Sequence, residues 1–220
     1  MENLSRHRCL IYEGLPTRQL PALASAARQK LEENYRCFYL NSPSMVVQMQ
    51  NHLEAANVDV AHETARASLV LSSAQHHLSP GGRFIVDRMI SSLQIAVDRA
   101  LHDGYRGLWA SGDMIWEFGP EKDFSQLLEY ELRLEEFFRE CKEISGVCQY
   151  RADMLPRAAV RHGLNCHRSI FVSEKLSMKN PRYLRRDAFT RQAAGNPEAA
   201  ESLEVDLFIN DIVQQQRPIN

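Results

Sequence analysis

Short apolar runs bounded by turn residues recur along the chain, and most are followed by a longer stretch whose apolar residues lie three or four apart. The runs Arg8–Glu13, Arg36–Leu40, Gly146–Tyr150 and Ser169–Ser173 predict strands. Another strand is predicted inside Tyr105–Gly119, whose apolar run is flanked by glycines in the manner of a strand buried on both faces. Leu20, Leu23, Ala24, Ala27 and Leu31 share a face and predict a helix over Leu20–Glu33. Ser42-Pro43 supplies a cap and a first-turn proline for a second helix, with Val46, Met49, Leu53 and Ala56 inward. A long amphipathic helix is predicted from the Pro80-Gly81-Gly82 turn to near Leu101, and another from the Asp123 cap to near Lys142. Leu155–Gly163 reads as a short helix, and Asn57–Ser73 as one or two further strands.

This alternation has the spacing of βαβ units, which predicts an α/β fold of three layers, a mainly parallel sheet with helices on both faces. The composition changes near Lys179, dividing residues 1–179 from a C-terminal appendage, residues 180–220. Within the appendage, Arg182–Ala200 is polar and basic and reads as poorly ordered. Leu203–Val213 is apolar again and fits two patterns. Leu203, Val205, Leu207 and Ile209 alternate like a strand, whereas Val205, Phe208, Ile209 and Ile212 share one helix face. In either form the appendage is expected to dock on this chain or on another.

Composition narrows the partners. The 220 residues carry 26 Lys plus Arg against 28 Asp plus Glu, a net charge of -2 that argues against direct nucleic-acid binding. The five cysteines, Cys9, Cys37, Cys141, Cys148 and Cys166, form no CxxC pair and suggest neither a disulfide framework nor a zinc knuckle. No apolar run has membrane-spanning length and no signal-peptide core opens the chain, so a cytoplasmic location with reduced thiols is expected.

Candidate chemistry starts in Tyr105–Gly119, where Asp113 follows a buried strand and lies between Trp109 and Trp116, the only tryptophans. Open α/β sheets bind ligands at such strand ends. A phosphate-binding loop is missing, because Glu13–Pro21 reads EGLPTRQLP, with one glycine and no lysine. Glu131 projects into the apolar stripe formed by Phe124, Leu127, Leu128, Leu134 and Phe138. A carboxylate there is either structurally paired or a buried acid lining a cavity. Glu135 follows one turn later. His7 precedes the first strand and His167 the last, and Cys148 and Tyr150 project to one side of their strand. His76-His77 and His162 read as surface or loop residues. No HExxH, GxSxG or paired-cysteine motif is present.

Taken in order, His7 with Leu10–Glu13 (LIYE), the Tyr39-Leu40 strand, Gly112–Trp116 (GDMIW), Leu128–Glu131 (LEYE), Val147–Tyr150 (VCQY) and His167 before SIFV resemble the MEDS domain. That is the sensory domain named for methanogens, methylotrophs and a dichloromethane-responsive regulator. The resemblance spans about residues 5–175 and implies a RecA-like sandwich without a phosphate-binding lysine. It also implies a non-catalytic sensor of small hydrocarbon derivatives, of the kind that usually sits beside DNA-binding or kinase modules in transcription regulation. His7, Tyr12, Trp109, Asp113, Trp116, Glu131, Cys148, Tyr150 and His167 are the resulting ligand-binding candidates, with cofactor and metal left open. Arg168 stands where the family commonly has proline. With no output module recognisable in the sequence, signalling is expected through the tail, an oligomer or a protein partner. A degenerate nucleotide binder or enzyme, and an interaction module acting through the tail, are the alternatives.

Overall fold

The architecture follows from one central strand. In a computed structural model, which describes residues 6–184 and 199–216, strand β1 (His7–Tyr12) lies between β5 (Ile144–Arg151) and β6 (Ser169–Phe171), parallel to both. The seven-stranded sheet has the order β3-β2-β4-β5-β1-β6-β7, with β2 at Arg36–Leu40, β3 at Leu69–Ser72, β4 at Leu108–Asp113 and β7 at Ser177–Lys179. Among the described strands of this sheet, only β7 runs antiparallel to its neighbour. The expected three-layer, mainly parallel α/β sandwich is the one observed.

Alternation along the strands sorts side chains between two cores. On one face, Leu10, Tyr12, Cys37, Tyr39, Trp109 and Val147 pack under helices α1 (Leu20–Glu32), α2 (Pro43–Ala55) and α3 (Val60–Ala65). On the other, Cys9, Ile11, Leu108, Cys148, Tyr150 and Ile170 pack under α4 (Val86–His102), α6 (Leu127–Glu140) and α7 (Arg157–Cys166). A single turn, α5 (Met114–Glu117), follows β4 directly.

Asn57–Ser73, read from sequence as one or two strands, contains the helix α3 and one strand, β3. The helix is set by Asp59, whose side chain accepts from the His62 amide at 2.9 Å. The tail ambiguity also resolves. Helix α8 (Ala199–Gln215) buries Val205, Ile209, Ile212 and Val213 in the same core, against β1 and α7. The helix-face pattern prevails because those residues recur at three- and four-residue intervals. Asp206 anchors α8 to α7 through Arg157, at 3.0 Å, and Arg161. The expected poor order of Arg182–Ala200 concerns residues that lie mostly outside those described. Among the described residues, no helix is long and apolar enough to cross a membrane.

Candidate functional site

Helix α6 presents an acid to the core. Leu127, Tyr130, Leu134 and Phe138 form its buried stripe, and Glu131, fully buried, points the same way. Among the described residues, no arginine meets it. Glu131 Oε1 accepts a short hydrogen bond from the Tyr150 hydroxyl. Its other oxygen, Oε2, lies 3.6 Å from the Nε2 atoms of both His7 and His167.

The opposing side chains come from three elements. The β1/β5 pairing matches His7 with Gly146 and Cys9 with Cys148, so alternation turns His7, Cys148 and Tyr150 toward α6. His167 ends α7 and stacks at an angle on His7, with ring centroids 3.9 Å apart. His7 Nε2 is 3.3 Å from Cys148 Sγ. The donor atoms of His7, Glu131, Cys148 and His167 all lie within 4.8 Å of one another, and all four residues are buried.

Surrounding contacts fix the imidazoles. His167 Nδ1 donates to the Gly163 carbonyl at 2.6 Å, which leaves the Nε2 lone pair facing the cluster. His7 Nδ1 donates to Glu135 at 3.2 Å. Glu135 also accepts from Arg168 Nε at 2.9 Å and from the Tyr183 hydroxyl at 3.1 Å. Arg168 thus braces the acid that orients His7. Tyr150 packs on Gly163, where a Cβ would come within 2.3 Å of its ring.

Burial governs the protonation. Desolvation pushes the Glu131 carboxyl up to about 7, against the lowering effects of His7 and the Tyr150 hydrogen bond. Desolvation holds the Cys148 thiol well above its ordinary range and the His167 imidazolium well below it. Glu135 is also partly desolvated, but His7 and Arg168 outweigh that cost and hold it low. A thiol so firmly protonated is a poor nucleophile. Two imidazoles, a thiol and a carboxyl suit hydrogen bonding or metal coordination instead.

The sheet separates Tyr12, Trp109 and Asp113 from this cluster, and Trp116 lies beyond the end of β4. Trp109 and Tyr12 belong to the α1/α2 core. Trp109 lines a cavity of about 270 Å³ with Arg8 and Ser145, at the opposite sheet end from Asp113. Asp113 ends β4 on that same face by alternation and caps α5 by accepting from the Trp116 amide at 2.9 Å. Desolvation raises its carboxyl to about 6. Trp116 is half-buried and meets His77 edge-on, with centroids 5.8 Å apart. The nine candidates therefore do not line a single pocket: His7, Glu131, Cys148, Tyr150 and His167 converge, and Tyr12, Trp109, Asp113 and Trp116 do not.

The family model for the MEDS domain, the methanogen/methylotroph, DcmR sensory domain, matches residues 6–168. The chain belongs to the MEDS family. No curated protein matches it. The matched span of the MEDS domain contains His7, Glu131, Cys148 and His167, and its last residue is Arg168, which braces Glu135.

Sequence reasoning missed two buried groups in this MEDS domain. Glu117 is buried and accepts from the Tyr130 hydroxyl at 3.0 Å, while burial raises its carboxyl to about 8. Gly112 makes room for it, since a Cβ there would overlap Glu117 Oε1 at 1.7 Å. A glycine five residues before an acid, across a strand end, was the available signal. His77, read from sequence as a surface or loop residue, is buried, with Nε2 donating to the Glu117 carbonyl at 2.7 Å. The T-shaped contacts of its ring with Phe84 and Trp116 hold it inside.

Proposed function

We propose that this MEDS domain is a non-catalytic cytoplasmic sensor that binds a small, largely apolar molecule and signals through a protein partner or a second copy of the chain. The observation that carries this reading is a polar cluster set inside an apolar core, with Glu131 Oε2 and His167 Nε2 lacking hydrogen-bond partners. Buried polar groups in such a state favour a ligand that supplies one polar contact and otherwise fills apolar space. Phe138, stacked on His7 at 4.6 Å, and Tyr150 give the cluster aromatic surroundings.

The route to a signal is helix α8. It completes the same core as the cluster and is tied to α7, the helix that His167 directly follows. A ligand that repositions His167 changes the relative stability of docked and undocked α8, and it does so only by its differential affinity for the two. An exposed α8 face, with Val205, Ile209 and Ile212, would then meet the partner.

Hydrogen exchange and thermal melting of the isolated chain with short-chain haloalkanes and alcohols test this reading. Binding is expected to raise the melting temperature and change amide exchange in α8. A panel that alters neither would overturn it.

A further inference from the structure

We propose that His7, Glu131, Cys148 and His167 bind one borderline divalent transition-metal ion of the zinc class. The sensory reading is not required for this. The proposal stands on the geometry and chemistry of the cluster.

Spacing is the first argument. A tetrahedral zinc ion with bonds of about 2.0–2.3 Å holds its ligand atoms roughly 3.3–3.7 Å apart. In the cluster, His7 Nε2 is 3.3 Å from Cys148 Sγ, and Glu131 Oε2 is 3.6 Å from each histidine Nε2. Three edges of the tetrahedron are therefore already at metal-site length. The remaining ones lie within 4.8 Å, a distance that small side-chain rotations close.

Polarity is the second. His167 donates from Nδ1 to a carbonyl, so its Nε2 can only accept. An ionised Glu131 Oε2 likewise only accepts. With Glu131 ionised, acceptor faces acceptor in a fully buried space, an arrangement that a proton or a metal cation between them relieves.

The outer contacts are those that orient metal ligands. His7 Nδ1–H meets a carboxylate, His167 Nδ1–H meets a backbone carbonyl, and the Tyr150 hydroxyl holds the second oxygen of Glu131. Charge also balances. A divalent ion with one thiolate and one carboxylate is neutral, as an apolar core requires. On binding, the Cys148 thiol proton and any proton on Glu131 are released to solvent, the thiolate sulfur, the carboxylate oxygen and the two imidazole nitrogens each donate an electron pair, and no redox step occurs. The mixed nitrogen, sulfur and oxygen set selects a borderline ion over magnesium or calcium.

The test uses the full chain, stripped with a chelator and titrated with Co²⁺, without any organic ligand. The expected result is the intense visible spectrum of four-coordinate cobalt plus a near-ultraviolet thiolate band, saturating at about one equivalent. Cys148→Ser should abolish the thiolate band, whereas Cys166→Ser, a buried thiol outside the cluster, should retain it. A weak six-coordinate spectrum from folded protein, or a thiolate band surviving in Cys148→Ser, would overturn the proposal. Should that variant fail to fold, X-ray absorption of the zinc-loaded wild type decides. One sulfur with three nitrogen or oxygen neighbours supports the site, and a sulfur-free shell refutes it. Because no organic ligand is present, failure here leaves the sensory reading standing, and failure of the haloalkane panel leaves the metal site standing.

Discussion

His167 Nε2 and Glu131 Oε2 face each other across 3.6 Å in the buried core, and among the described residues neither has a hydrogen-bond partner. A pairing of this kind persists only if something else stabilises it, whether a proton, a ligand or an ion. It links α6 to the end of α7, and thereby the acid-bearing helix to the helix on which α8 docks.

Glu131→Gln separates structural from functional demand. The amide keeps an acceptor for Tyr150 and gains an N–H for His167 Nε2. Chelator-treated Glu131→Gln is expected to be as stable as the wild type or more stable by about 1 kcal/mol, the net worth of one hydrogen bond. Its cobalt affinity should fall at least tenfold. Chemical denaturation and the cobalt titration supply the two readings. A destabilised, tightly metal-binding variant would contradict the assigned geometry.

Glu117 sets a pH dependence away from the cluster. Its folded carboxyl is raised from 4.5 to about 8, chiefly by desolvation. A raised value means the folded state holds the proton more tightly, so its stabilising contribution is complete below pH 4.5 and is lost as pH rises through about 8. At roughly 1.4 kcal/mol per pH unit, the loss is on the order of a few kcal/mol. Glu117→Gln should flatten the fall in melting temperature between pH 5 and 9 and be the more stable form at pH 9. Parallel pH profiles for the two proteins would show that the buried carboxyl does not titrate in this way.

Much of this arrangement was legible in the residue pattern, and what was missed has identifiable causes. Glu131 stood out because helical periodicity alone puts it among Leu127, Leu134 and Phe138. Cys148 and Tyr150 shared a side because strands alternate. His7 and His167, at element ends, carry no periodic signal and were raised only by family resemblance. That Trp109 lies on the other sheet face from the cluster was not legible, because a strand pattern gives the alternation of faces but not which face meets which helix. The α3 segment VAHETA is too short for a helical period, so its β-branched and apolar residues read as strand. Glu135 was noted, but its partners Arg168 and Tyr183 are 33 and 48 residues away, beyond any local pattern.

Gly163 is a steric hinge of the site. A Cβ there would lie 2.3 Å from the Tyr150 ring, inside a packed core. Gly163→Ala is expected to cost about 1–3 kcal/mol through overpacking. It should also displace Tyr150 from Glu131 and so weaken cobalt binding. Denaturation together with the cobalt titration checks it, and a variant of unchanged stability would show that Tyr150 moves freely.

Asp206 holds the output helix. It meets both Arg157 and Arg161, and half-exposed ion-pair networks of this sort contribute modestly. Asp206→Ala should cost about 1 kcal/mol or less in global stability while accelerating amide exchange in α8 selectively. Uniform exchange across the chain would mean that α8 opens only with the rest of the fold.

The most direct test of the central claim, that the buried cluster is a binding site, is anomalous diffraction at the zinc edge from crystals of the zinc-loaded protein. The account predicts one strong peak bonded to His7 Nε2, Glu131 Oε2, Cys148 Sγ and His167 Nε2. A cluster free of anomalous signal, with zinc bound only at surface residues, would contradict it.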